Sequence, residues 1–126
     1  MTPTGDPGPI TLDTYQLVLL RRTVAYPEFD PDEKERIFRE HLAYTLSLVA
    51  SGQQLAAGPV PDGPAEDTTI CGMGLFQQDS LEAVRELLNG DPGVRQGLYC
   101  FDVMTWLTPA GRISFANPAP ASSPST

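Results

Sequence analysis

The sequence predicts an α+β domain in which four antiparallel strands form one sheet and two helices cover one of its faces. Three patterns carry this expectation. Four short runs are rich in aliphatic, β-branched and aromatic residues, and two longer stretches repeat their apolar residues at the helical period. Turn-forming Gly, Pro and Asp residues fall between them, so the elements run strand, helix, strand, strand, helix, strand.

Tyr15 to Arg22 (YQLVLLRR), an apolar run closed by charge, is the first strand. Pro27 and the acidic residues after it break the pattern. Asp30-Pro31-Asp32-Glu33 then opens a helix: Asp30 is the N-cap, Pro31 takes the first helical position, and Glu33 completes a capping box. The helix is expected over Pro31 to Ser51, with Gly52 as the left-handed residue that ends it. Wound at about 100° per residue, it gathers Ile37, His41, Tyr44 and Leu48 on one arc, continued by Phe38, Leu42, Thr45 and Val49. Glu35, Arg36, Arg39, Glu40 and Ser47 fall on the opposite side. Gln54 to Val60 (QLAAGPV) is a second strand built of small residues, and Pro61 to Asp67 is an acidic loop. Thr68 to Gln77 (TTICGMGLFQ) returns as the third strand. Asp79 is the expected cap of the second helix, with Glu82 three residues on and Leu81, Val84, Leu87 and Leu88 as its apolar stripe. Gly90 closes this helix and Pro92 bars its continuation. Gly97 to Leu107 (GLYCFDVMTWL) is the last strand. This order makes a ferredoxin-like βαββαβ sandwich. One sheet face stays uncovered in a single copy, so a homodimer packed sheet on sheet is expected.

The chain has 126 residues, enough for one core. Met1 to Asp13 and the Pro/Ser-rich Ala116 to Thr126 are expected to be flexible, leaving a domain over residues 14–115. A net charge of −8 argues against nucleic acid and anionic membrane surfaces as partners. No apolar run reaches the length of a membrane span and the start lacks a signal-peptide pattern, so a cytoplasmic location is expected. Cys71 and Cys100 are then read as thiols. With one histidine and no C-x-x-C pair, no metal site is expected. Gly72-Met73-Gly74 lies in a strand and lacks the helix that a dinucleotide loop needs, so no cofactor is expected and close backbone approach or a bulge explains the glycines. The acidic charge and the aliphatic first strand exclude an RNA-recognition use of the fold, and the first loop lacks the cysteine pair of a metal chaperone.

His41 is the single histidine and sits on the inward arc of the longest helix. Read locally it is either a core histidine bonded to a backbone carbonyl or an acid–base group, because imidazole exchanges protons near neutrality. Asp91 follows a helix C-terminus, where the macrodipole disfavours an anion. Turn capping and function both account for it. Gly58-Pro59 marks an element end that needs a rigid turn. Tyr44, one turn after His41, is either a core aromatic or a hydrogen-bond donor to an enolate oxygen, and Trp106 is either a pocket wall or core.

Taken together, His41-Leu42, Leu55-Ala56-Ala57-Gly58-Pro59, Asp91-Pro92 and Gly97-Leu98-Tyr99 resemble, in order and spacing, the YciI-like (YCII-related domain) family of the dimeric α+β barrel superfamily. The resemblance implies a dimer of ferredoxin-like chains with a His/Asp pair in a cleft, which maps onto His41 and Asp91. Relatives include a dehydrochlorinase of a chlorinated hydroxyhydroquinone and, further off, muconolactone isomerases and cofactor-free oxygenases. The longer loop over Thr23 to Asp30 and the Pro/Ser-rich tail depart from the short family members. A carboxylate holding one imidazole nitrogen leaves the other to remove a proton. The leading expectation is a cofactor-independent lyase or isomerase that eliminates HCl or water, or moves a double bond, in a small cyclic or aromatic molecule. His41 and Asp91 are its acid–base pair, and Tyr44, Gly58, Pro59 and Trp106 contact substrate. The alternatives are a non-catalytic ligand-binding or accessory protein and a cofactor-free oxygenase of aromatic substrates.

Overall fold

The computed structural model describes residues 8–115. Residues 1–7 and 116–126, which hold most of the expected N-terminal segment and all of the expected tail, lie outside the described residues. Strand β1 spans Leu12–Arg22, so it begins inside the segment expected to be flexible. A single 3-10 turn over Tyr26–Glu28 leads to helix α1, Pro31–Ala50. Asp30 caps α1 by accepting from the Glu33 N–H, and Gly52 follows its end at φ +82°, the left-handed conformation expected of it. Strands β2 (Ala56–Pro59) and β3 (Ile70–Phe76) come next, then helix α2 (Leu81–Asn89). Ser80, in place of the expected Asp79, caps α2: its backbone is extended and its hydroxyl accepts from the Ala83 N–H. Both residue types cap well, so sequence preference alone does not separate neighbours. A short helix α3, Pro92–Arg95, precedes strand β4, Tyr99–Pro109. The sequence reading missed α3 because Pro92 ends α2 and also starts the next turn, at the one helical position a proline favours.

The strands lie in the order β2-β3-β1-β4 and every neighbouring pair is antiparallel, the ferredoxin-like arrangement. β2 and β4 are edges, and Pro59 sits at the end of the β2 edge, where a missing N–H is tolerated. Alternation along the strands sorts the residues by face. Val18, Leu20 and Arg22 of β1 share the helix-covered face with Phe101, Val103 and Tyr99 of β4, whereas Tyr15, Leu17 and Leu19 share the outer face with Trp106, Met104 and Asp102.

Two apolar clusters fill the space under the helices. Val18, Phe76, Val84, Leu88 and Leu48 form one, joined by Tyr44 and Leu87. Ile37, Leu98 and Tyr99 form the other, with Leu20, Tyr26 and Cys71 against them. The predicted apolar arc of α1 divides between core and surface. Ile37 and Leu48 are buried, while Phe38 and Leu42 are exposed. Cys71 and Cys100 are free thiols, and burial pushes the Cys71 thiol up from its ordinary pKa. No helix among the described residues is long and apolar enough to cross a membrane.

Candidate active site

The exposed half of the α1 arc overlooks a cleft of about 760 Å³ between α1 and the β2–β3 side of the sheet. Residue size explains why it is hollow. Where β2 pairs with β3, the positions that face the helices are Ala57, Pro59, Gly72 and Gly74, none of which fills the gap to α1. Gly74 is a place where only glycine fits without movement: a Cβ there would lie 2.5 Å from Nε2 of Gln54, a side chain that is itself buried. A cleft of this volume suits a small organic molecule.

At its inner end α1 clasps the turn between α2 and α3. Gly90 and Gly93 flank Asp91 and each lacks the Cβ that would obstruct the contact. A Cβ on Gly90 would lie 2.6 Å from the Tyr44 hydroxyl, and one on Gly93 would lie 2.6 Å from the Tyr99 ring and 3.3 Å from the His41 Cβ. His41 and Tyr44 are three residues apart and so stack along one helix face, each over one of these glycines. Gly90 is right-handed, at φ −84°, so its role is close approach and not a left-handed cap.

Asp91 lies between them with its side chain 3 % exposed. Its Oδ1 accepts from the Gly93 N–H at 2.9 Å, capping α3, and its Oδ2 meets His41 Nδ1 at 2.6 Å. The expected capping role is met by one oxygen, and the contact with His41 is made by the other. An ionised carboxylate only accepts, which assigns the proton to Nδ1 and leaves a lone pair on His41 Nε2. Nε2 has no hydrogen-bond partner among the described residues. His41 lines the cleft with its side chain 16 % exposed, and its ring stands 5.0 Å from that of Tyr99 and 6.2 Å from that of Phe38.

His41, Asp91, Tyr44, Gly58 and Pro59 all line the one cleft. Trp106 does not. It pairs across the strands with Tyr15 on the outer face, where the two rings are 5.9 Å apart and the Phe115 ring meets Tyr15 edge-on at 5.8 Å. Tyr44 keeps its place but not the expected role as donor: its hydroxyl gives its proton to the Leu87 carbonyl at 2.7 Å, tying α1 to α2. Gly58 and Pro59 end strand β2, and a Cβ on Gly58 would meet nothing within 4 Å, so no tight turn requires glycine there.

Tyr99 is the site residue that sequence reasoning passed over. It is 7 % exposed, lines the cleft beside His41, and its hydroxyl has no hydrogen-bond partner among the described residues. Burial pushes its pKa up to about 12. A buried phenol without a partner is uncommon, because such a group loses its hydration without compensation. Strand alternation carried the signal: Tyr99 and Trp106 are an odd number of residues apart and must face opposite sides. Among the described residues no group of three or more His, Cys, Asp and Glu side chains is placed to hold a metal ion.

The sequence matches the family model of the YCII-related domain over residues 17–106. The chain belongs to the YCII-related domain family. Among solved structures, this YCII-related chain is similar to 5-chloro-2-hydroxyhydroquinone dehydrochlorinase (TftG) from Burkholderia phenoliruptrix AC1100, solved with 2,5-dihydroxybenzoquinone. The TM-score is 0.51 at 19 % identity, covering 73 % of this chain and 92 % of that one. SnoaB, a cofactor-independent oxygenase from Streptomyces nogalater, follows with a TM-score of 0.42 at 13 % identity, covering 81 % of this chain and 96 % of that one. No curated protein matches the sequence. The likeness to TftG concerns the fold, the four-stranded antiparallel sheet with helices on one face.

Proposed function

We propose that this YCII-related protein is a cofactor-independent lyase or isomerase acting on a small cyclic or aromatic molecule. The observation that carries the reading is the 2.6 Å contact between His41 Nδ1 and the buried Asp91 Oδ2 at the wall of the cleft. Asp91 fixes the imidazole tautomer and balances the charge that appears when Nε2 takes a proton. Nε2 removes a proton from a substrate C–H, and the freed electron pair forms a double bond. In an elimination the leaving group departs with its own pair. In an isomerisation the proton returns to another carbon. The donor role read first into Tyr44 passes to Tyr99, whose neutral, unpartnered hydroxyl is suited to hydrogen-bond an enolate oxygen. The mostly apolar cleft favours a ring-sized substrate, in keeping with the dehydrochlorination named for the similar structure.

A homodimer is part of the proposal. Met73 is 50 % exposed, and Met104 and Trp106 are each 38 % exposed, on an outer sheet face that one chain leaves uncovered. The test of the catalytic reading is turnover on a panel of chlorinated and unchlorinated hydroxyhydroquinones and enol-lactones. A substrate turned over by the native chain should lose about 10²–10⁴-fold in rate with His41→Ala or Asp91→Asn, in variants that remain folded. Full activity in either variant would contradict the pair. Ligand binding without turnover across the panel, unchanged by either substitution, would favour a non-catalytic binding protein.

A further inference from the structure

The mouth of the cleft carries a charge arrangement that the His41–Asp91 pair does not use. The cleft-lining ionisable side chains of opposite sign number two on each side: Arg22 and Lys34 against Glu35 and Asp91. Both anions are committed. Glu35 pairs with Arg39 at 2.8 Å, and Asp91 holds His41 and the Gly93 N–H. Neither cation has a carboxylate within ion-pair distance among the described residues. Arg22 places its guanidinium 5.3 Å from the centre of the Tyr26 ring and donates one N–H to the Thr68 carbonyl; Lys34 places its ammonium 4.6 Å from the same ring. Contact with a ring face leaves most N–H groups of both side chains undirected. Of the other six cations, Arg21, Arg36, Arg39 and Arg85 have a carboxylate partner, and Arg95 and Arg112, neither of which lines the cleft, have none among the described residues. In a protein of net charge −8, two unpaired cations brought to one ring at one cleft form a local reversal of sign.

Aromatic rings link the two cations to the His41–Asp91 pair. Arg22 is the cross-strand partner of Tyr99. Ring-to-ring steps of 5.0 Å from His41 to Tyr99 and 6.4 Å from Tyr99 to Tyr26 join the imidazole to the ring beneath the two cations. The route between them is lined by Leu20 and Cys71, both part of the same apolar cluster. We infer that Arg22 and Lys34, seated on Tyr26, form an anion subsite that binds the carboxylate of a ring-containing acid and points its ring toward His41. This rests on the reading of the cleft as a substrate site and adds the substrate class, a carboxylic acid. Arg22 offers a planar donor edge to a carboxylate and Lys34 adds a point charge. The loop over residues 23–30 carries Tyr26 and thereby builds this subsite.

The experiment is ligand-observed fluorine NMR with para-fluorobenzoate and its neutral counterpart para-fluorobenzamide, at low and moderate salt. The native chain should bind the acid about tenfold more tightly than the amide, the equivalent of about 1.4 kcal/mol. Added salt should narrow that ratio. Lys34→Gln alone, a partly exposed helix position, should reduce the ratio, and Arg22→Gln with Lys34→Gln should bring it near unity with amide binding unchanged. Thermal melting of each variant verifies its fold. Equal binding of acid and amide by the native chain, no binding of the acid, or a ratio unchanged in the folded Lys34→Gln and double variants would overturn the subsite. His41→Gln separates this inference from the catalytic reading. It should keep the preference for the acid, so loss of the pair's chemistry with the preference intact leaves the subsite standing.

Discussion

The two halves of this domain are built to the same plan and packed to opposite ends. Under α2, the sheet presents Phe76 and Val18 to Val84 and Leu88, and all four are buried to 7 % exposure or less. Under the outer arc of α1, the sheet presents Gly72, Gly74, Ala57 and Pro59, and a cleft takes the place of a core. Backbone topology is the same in each half, one helix joining two parallel strands that are separated by an antiparallel one. Side-chain volume alone decides that one half is a scaffold and the other a site.

The comparison is broken most severely from the packed side. Phe76→Ala should cost about 3–5 kcal/mol of stability, read by chemical denaturation, because no neighbour is free to collapse into the space. Loss below about 1 kcal/mol would mean that this half packs as loosely as the other. The junction of the halves is Asp91, and its two oxygens allow its duties to be split. Asp91→Asn retains an N-cap acceptor, whereas Asp91→Ala loses it, so the alanine variant should be less stable than the asparagine variant by about 1 kcal/mol. Equal stabilities would show that the contact with the Gly93 N–H contributes nothing.

Ala57→Leu tests the opposite half by supplying the volume it lacks. Ala57 is exposed and lines the cleft, so leucine there should weaken binding of para-fluorobenzoate several-fold, roughly the cost of displaced contacts, with a melting temperature unchanged or raised. Unchanged binding would place the ligand elsewhere. The smallest effect belongs to Tyr99, which lines the cleft and packs with Ile37 and Leu98. Its folded pKa is raised to about 12 from the ordinary phenol value near 10, so the neutral form is favoured by the fold. Its contribution is complete below the unfolded value and is lost as pH rises through the folded one. Between about pH 10 and 12, stability should fall with pH, and Tyr99→Phe should flatten that slope. An equal slope in both proteins would remove Tyr99 as its source.

Much of this was legible in residue order. The four strands, both long helices, the Asp30 cap and the left-handed Gly52 follow from local rules, since periodicity and cap chemistry depend on neighbours in sequence. What escaped depended on neighbours in space. Asp91 looked misplaced at a helix end because α3, a single turn starting at Pro92, is too short to show a period. Gly90 and Gly93 look like ordinary breakers until Tyr44 and His41 are seen against them. Trp106, either pocket wall or core by residue type, is placed on the other face by alternation from Tyr99. The inward direction of His41 was readable from the helix wheel, and the family resemblance named its partner; the division of labour between the Asp91 oxygens required the fold.

The central claim is that Asp91 holds His41 with its proton on Nδ1 and its lone pair on Nε2. Because the chain has a single histidine, nitrogen-15 NMR of the imidazole reads this without assignment. The neutral ring should be the Nδ1–H tautomer in the native chain, and that preference should weaken in Asp91→Asn. A neutral ring protonated on Nε2 in the native chain would contradict the pairing and, with it, the general base.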